Sequence, residues 1–213
     1  MTILIRQHLL MHRYLLTLAV EVVRTTRLIY KCPIRSDNVE MMDLHADFFR
    51  SKDLIAIYCN QVFPNNFLVG NILSSNDDCL LLSLIDPDSN YDGLCLCSTK
   101  YIFRIEKNSQ YLQKLEKNYS FLGNQHYEND PWDMFLEYAE KQKHIIQVKG
   151  LTGKRIMFGM PISHSTDMFI VKRIHLDATW GHVFRIRRDK VSLLVCNSES
   201  EQELELALQK EEM

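Results

Sequence analysis

Glycine is scarce in this chain, with 7 residues in 213, alongside 5 prolines and 2 tryptophans. So few breakers exclude a low-complexity or linker-like chain, and each glycine is expected to sit where the backbone needs one. Cysteine is sparse as well: 6 residues are too few for a disulfide scaffold. Cys59, Cys79, Cys95 and Cys97 lie in or beside apolar runs, where cysteine behaves as a small buried hydrophobe. Reduced thiols suit a cytoplasmic protein. Cys95 and Cys97 are spaced C-x-C, which on a strand points both to one face. No second pair at ligand spacing follows, so no metal and no other cofactor is expected.

Enzyme signatures are also missing. The chain contains no G-x-G-x-x-G, G-x-x-x-x-G-K-[ST], G-x-S-x-G or H-E-x-x-H. GLTGKR, Gly150 to Arg155, has a Gly-Lys pair at the wrong spacing and lies between expected strands. DPDSNYDG, from Asp86, resembles a calcium loop, yet Cys97 occupies the place of the bidentate glutamate. A non-enzymatic protein is expected. Long apolar runs are absent too. The first 30 residues are apolar but broken by Arg6, His8, His12, Arg13, Glu21, Arg24 and Arg27. The uncharged stretch Tyr14 to Val20 is too short for a bilayer, and no small-x-small cleavage site follows. No membrane span is expected. Residues 1–40 read as a helical extension packed on the body or on a partner; the alternative is a misassigned start upstream of Met41 and Met42.

What is present is a regular order of elements. Met42 to Arg50 has Leu44, Phe48 and Phe49 at near-helical spacing. DLIAIYCN, FLVGNIL and the seven-residue apolar run CLLLSLI read as strands separated by turns. LCLCS and YIFRIE follow as two short strands, then NSQYLQKLEK as a helix. The order then repeats. Asp130-Pro131 before WDMFLEYAEKQK is a helix start, with Asp as N-cap and Pro at the first helical position. HIIQVKG, KRIMFGM, DMFIVKRI, HVFRIRR and KVSLLVC are strands, with Thr152-Gly153 as a tight turn. Ser198 with Glu201 is a capping box opening a C-terminal helix.

Three anchors are in register: Gly70 with Gly159, Asp78 with Asp167, and Asn108 with Asn197. Gly93 and Gly181 miss this register by one residue. The expected architecture is mainly β with flanking helices, an internal duplication. It consists of two tandem five-stranded small barrels, each with a leading and a trailing helix. The first barrel module spans residues 41–122 and the second 130–213. Gly70 and Gly159 would be the bends that close each barrel, with Gly93 and Gly181 opening each fourth strand. The alternative is an open antiparallel sheet.

A leading helix and five short strands with a glycine-bearing, bent second strand resemble the Sm-like fold and its SH3-like barrel relatives. The stretches that carry the resemblance are LIAIYCN, FLVGNIL and CLLLSLI in the first copy, and IIQVKG, RIMFGMPI and DMFIVKRI in the second. It implies RNA binding near the second turn, where Asp78 and Asp167 fall. The family's late Arg-Gly or Lys-His signature is replaced here by STKY and RRDK.

Charge separates the halves. Residues 54–109 carry 3 basic against 6 acidic side chains, a net of −3, and residues 144–198 carry 9 against 3, a net of +6. Arg185 and Arg187 share a strand face. With Lys172, Arg173, Trp180, Arg188 and Lys190 they form the candidate nucleic-acid surface, cationic with an aromatic for base stacking. His144, His164, His175 and His182 also fall in the second half, and His175, Asp177 and His182 are the minor alternative, a metal or acid–base site. The expected role is that of a bacterial, cytoplasmic binding or regulatory protein taking RNA or single-stranded nucleic acid on its basic second barrel. The alternative is an assembly module in which acidic and basic barrels pair, in cis or by self-association.

Overall fold

The computed structural model describes residues 53–59, 66–119, 127, 129–150 and 156–211. The extension 1–40, the helix read at Met42–Arg50 and the Thr152-Gly153 turn lie outside the described residues. Ten strands and three helices are described. The first half holds β1 (Ile55–Tyr58), β2 (Leu68–Ser75), β3 (Cys79–Ile85), β4 (Tyr91–Ser98) and β5 (Arg104–Lys107), followed by helix α1 (Gln110–Glu116). The second half begins with helix α2 (Pro131–Gln142). It continues with β6 (Ile146–Gly150), β7 (Ile156–His164), β8 (Met168–Ile174), β9 (Trp180–Arg187), β10 (Val191–Cys196) and helix α3 (Glu199–Glu211).

All ten strands form one open antiparallel sheet in the order β5-β1-β2-β3-β4-β10-β6-β7-β8-β9. This overturns the expectation of two closed five-stranded barrels. Closing the first half would require β4 to pair with β5. Instead a one-turn 3-10 helix, Thr99–Tyr101, carries the chain away from β4, and β5 pairs with β1 at the end of the sheet. The edge of β4 left open is taken by β10, with Leu96 opposite Leu194 and Cys95 opposite Val195.

Strands β2–β5 and β7–β10 share one pairing register at an interval of 89 positions, while β6 stands 91 positions after β1, with Ile55 facing Gly70 and Ile146 facing Gly159. Gly70 faces Leu84, and 89 positions on Gly159 faces Arg173. Cys79 faces Ser98 as Met168 faces Arg187. Bulges recur at Ile72/Ser74 and Pro161/Ser163. Left-handed residues recur at Ser89 and Ala178 and at Asn108 and Asn197. The trailing helices repeat one anchor: Glu116 accepts from Leu54 N at 3.3 Å, and Glu205 from Ile145 N at 2.7 Å.

Gly70 and Gly159 do not bend a barrel shut; they let neighbouring strands approach. A Cβ on Gly70 would lie 2.2 Å from the Ser83 carbonyl oxygen, and one on Gly159 would lie 2.6 Å from that of Lys172, the same place 89 residues on. Gly93 is inside β4 rather than at its opening, with φ +88°, and a Cβ there would meet the Cys196 carbonyl oxygen at 2.3 Å. It lets β4 lie close against the end of β10. Gly181 likewise sits within β9, beside His175.

Helix α2 covers the seam between the halves. Asp130 caps it, accepting from Trp132 N and Asp133 N, and Lys143 ends it in the left-handed region. Its buried Trp132, Phe135, Leu136 and Ala139 pack on Leu81, Leu94 and Leu96 of the first half and on Val148, Phe169, Val171 and Leu194 of the second. Each large buried side chain in such a cluster contributes about 1.5–3 kcal/mol. Below the seam, Cys95, Cys97 and Val195 join a second core with Ile55, Ile57 and Leu82. Cys95 and Cys97 therefore do face one way; burial raises the Cys95 thiol well above its ordinary range, and the hydrogen bond with Cys59, then burial, does the same for Cys97. Helix α1 covers Tyr58, Phe67 and Val69, while α3 covers Phe158 and Ile174 through Leu204 and Leu208.

Two glycines are expected to be intolerant of a methyl group. Gly70→Ala and Gly93→Ala should each lower unfolding free energy by about 2 kcal/mol or more through backbone clash, joined at Gly93 by positive-φ strain. Gly150→Ala, whose added carbon meets nothing closer than 3.7 Å, should change it by less than about 1 kcal/mol. Denaturant titration of the three variants decides this.

Candidate nucleic-acid interface

Cross-strand register places the candidate residues. Lys172 of β8 lies opposite Val183, Ile170 opposite Arg185, and Met168 opposite Arg187. Directly opposed residues share a face, so Lys172, Arg185 and Arg187 line one side of β8–β9. Trp180 joins them past a bulge, its ring 4.1 Å from the Lys172 ammonium. That cation–π contact holds the indole at the surface beside the cations. Arg173 is the next residue along β8, opposite Gly159. Strand alternation turns it to the other face.

The remaining candidates are engaged elsewhere. Arg187 makes a paired contact with Asp189, its Nε at 3.0 Å from Oδ1 and a terminal nitrogen at 3.1 Å from Oδ2. Lys190 shares the same carboxylate at 3.5 Å. Arg187 beside it, together with Lys190, holds the Asp189 carboxyl below its ordinary range. Arg188 is turned inward, with a side chain only 10% exposed. It donates to Asp133 at 2.7 Å, lies 3.6 Å from Asp130 and stacks over the Trp132 ring. It pins α2 to the second half and is a structural residue. The seven expected residues thus reduce to Lys172, Trp180 and Arg185 on one face, with Arg187 neutralised at its end. Among the described residues Arg185 has no acidic partner.

The same register explains why this face is open. Advancing 89 positions turns Leu81, Leu94 and Leu96, which lie under α2, into Ile170, Val183 and Arg185. Ser83 becomes Lys172. No described helix covers these second-half positions. Val183 is 57% exposed where Leu94 is 8%.

The histidine alternative finds no metal cluster among the described residues. Asp177 accepts from Thr179 N and Oγ within its own turn. His164 Nδ1 lies 2.8 Å from Glu140, and His144 Nδ1 lies 3.2 Å from Glu205. No group of three metal-capable side chains occurs among the described residues. Asp78 and Asp167 use their carbonyls to accept from Thr99 N and Arg188 N, tying each second turn to the 3-10 helix that follows.

One titratable group has a burial that sequence reasoning missed. Glu201 is fully buried in α3, where α1 carries Leu112 89 positions earlier. Its carboxylate accepts from Ser198 N at 3.1 Å and from Ser198 Oγ, so the acidic arm of the expected capping box is formed. Burial pushes the carboxyl up to about 7, against the hydrogen bonds from Ser198 and Ser200.

Comparison with known proteins returns no match: no family model fits the chain, and neither curated proteins nor solved structures resemble it. No described helix is long and apolar enough to cross a membrane.

Two measurements check this division of roles. Arg188→Ala removes a buried cation from two carboxylates and should cost about 1–3 kcal/mol in denaturant unfolding. For Glu201, the folded value lies above the unfolded 4.5. Its stabilising contribution is therefore complete below about pH 4.5 and lost as pH rises through about 7. Glu201→Gln keeps an acceptor for Ser198 N. It should match wild type near pH 4.5 and exceed its stability by up to about 3 kcal/mol at pH 8, read from paired unfolding curves.

Proposed function

We propose that the chain is a non-enzymatic binding protein whose uncovered β8–β9 face takes RNA or single-stranded DNA. The observation that carries the reading is the change of one face between the two copies. Positions that are leucine beneath α2 in the first half carry Arg185 and Val183 in the second, next to Lys172 and Trp180 in contact. Cations spaced along a flat strand pair suit a phosphate backbone, and an exposed indole offers a stacking surface to any base. The net +6 of residues 144–198 adds a long-range field of the right sign.

Gel-shift and fluorescence titrations with unstructured oligonucleotides at low salt test this. Wild type should bind with an affinity that falls steeply with salt. Trp180→Ala should weaken binding by about 5- to 150-fold, the equivalent of roughly 1–3 kcal/mol of base stacking. Arg185→Glu should flatten the log–log salt slope by about 0.7 for each phosphate that is no longer neutralised. Absence of binding by the wild-type protein at low salt contradicts the reading.

A further inference from the structure

Three of the described cysteines share one core. Cys95 and Cys97 are buried in it, and Cys59, just past the end of β1, packs against it from a half-buried position. The chain path brings two of these thiols together. After β4 the 3-10 helix turns the chain back, Phe103 N donates to the Tyr58 carbonyl at 3.0 Å, and Arg104 then faces Tyr58 in the ladder of β1 and β5. The residue after Tyr58 therefore meets the end of β4. The Cys97 thiol donates a hydrogen bond to Cys59 and also lies 3.8 Å from the Ser98 carbonyl oxygen.

We infer that Cys59 and Cys97 form a redox-active pair, which hydrogen peroxide converts to a disulfide and a dithiol reductant restores. The Cys59 thiolate attacks one oxygen of the peroxide. The O–O bond breaks, hydroxide leaves and takes up a proton, and Cys59 becomes a sulfenic acid. The Cys97 sulfur then attacks the Cys59 sulfur. The S–O bond breaks, the Cys97 proton leaves with the oxygen as water, and the S–S bond forms. Two thiols are oxidised and one peroxide is reduced to two waters. A dithiol reverses the bond by thiol–disulfide exchange and is itself left as a disulfide.

Surroundings assign the two roles. The hydrogen bond from Cys97 outweighs burial and, with the Lys149 ammonium, holds the Cys59 thiol below its ordinary range. A half-buried, easily ionised thiol is the one that meets an oxidant first. Cys97 is fully buried and stays protonated, so it acts only once a sulfenic acid has formed beside it. Cys79 and Cys196 lie in the core under α2, where burial raises both thiols. The disulfide ties the end of β1 to the end of β4 inside the first half, away from the β8–β9 face, so its test stands apart from the nucleic-acid reading.

That test treats the reduced, full-length native chain with equimolar hydrogen peroxide, blocks it with an alkylating agent and maps it by mass spectrometry. Two of the chain's 6 thiols should be lost, both in one Cys59–Cys97 disulfide, and both should return with dithiothreitol. Cys59→Ser should leave Cys97 a free thiol. Cys97→Ser, whose hydroxyl can still donate to Cys59, should form no disulfide and accumulate a Cys59 sulfenic acid that dimedone traps. A Cys59 that stays reduced while other cysteines oxidise overturns the proposal. So does a disulfide from Cys59 to Cys95 or to Cys32 in place of Cys97.

Discussion

The ladder between β4 and β10 is the constraint on which the rest of the structure depends. It joins residues about 100 positions apart, Leu94–Cys97 with Leu193–Cys196, and converts two five-stranded halves into one sheet. Its two faces are buried by different means. Leu94, Leu96, Leu194 and Cys196 lie beneath α2, while Cys95, Cys97 and Val195 belong to the core on the other side. A strand with apolar residues on both faces is stable only if both are covered, and the LCLC run of β4 meets that condition only because β10 and α2 arrive. Other ties cross the same boundary. Asp92 accepts from Glu199 N at 3.1 Å, and Asn76 donates to Asp130 at 3.0 Å.

Local features of the fold were legible in the amino-acid order. The seven-residue run CLLLSLI is β3, and Asp130-Pro131 opens α2 with Asp130 as its cap. The three anchors read from sequence are points on a register that the pairings of β2–β5 and β7–β10 follow, with β6 two residues further on than β1. These signals are short-range: a turn, a cap, a run of apolar residues. What was not legible was the closure. A five-stranded half has the same strand lengths, bulges and close-packed glycines whether β4 meets β5 or a strand from another half. Gly70 looked like a barrel bend and proves to be a site of close approach, because sequence marks the missing side chain without saying which neighbour fills the space. The one hint of the seam was LCLCS itself, apolar on both faces where its counterpart VFRIR is not.

The candidate surface was half legible for a similar reason. Spacing put Arg185 and Arg187 on one face, and the structure agrees. Sequence could not show that Arg188 would be drawn under α2 by Asp133, 55 positions away, or that Asp189 would neutralise both Arg187 and Lys190. Trp180 was recognised by residue type, but its contact with Lys172 depends on the bulge between β8 and β9. The 89-position register sets these details side by side. The first copy uses its outer face to receive α2, and the second, with no described helix to receive there, carries cations instead. Glu201 in place of Leu112 is the converse case, a charged side chain kept where its twin is apolar.

Hydrogen exchange at the seam measures the central claim most directly. If the halves form one cooperative unit through β4 and β10, the amides bonded between Leu94–Cys97 and Leu193–Cys196 exchange only with global unfolding. They should then be as protected as the ladder between β3 and β4. Seam amides that exchange orders of magnitude faster than those inner ladders would mean that the halves open independently, and would contradict the account.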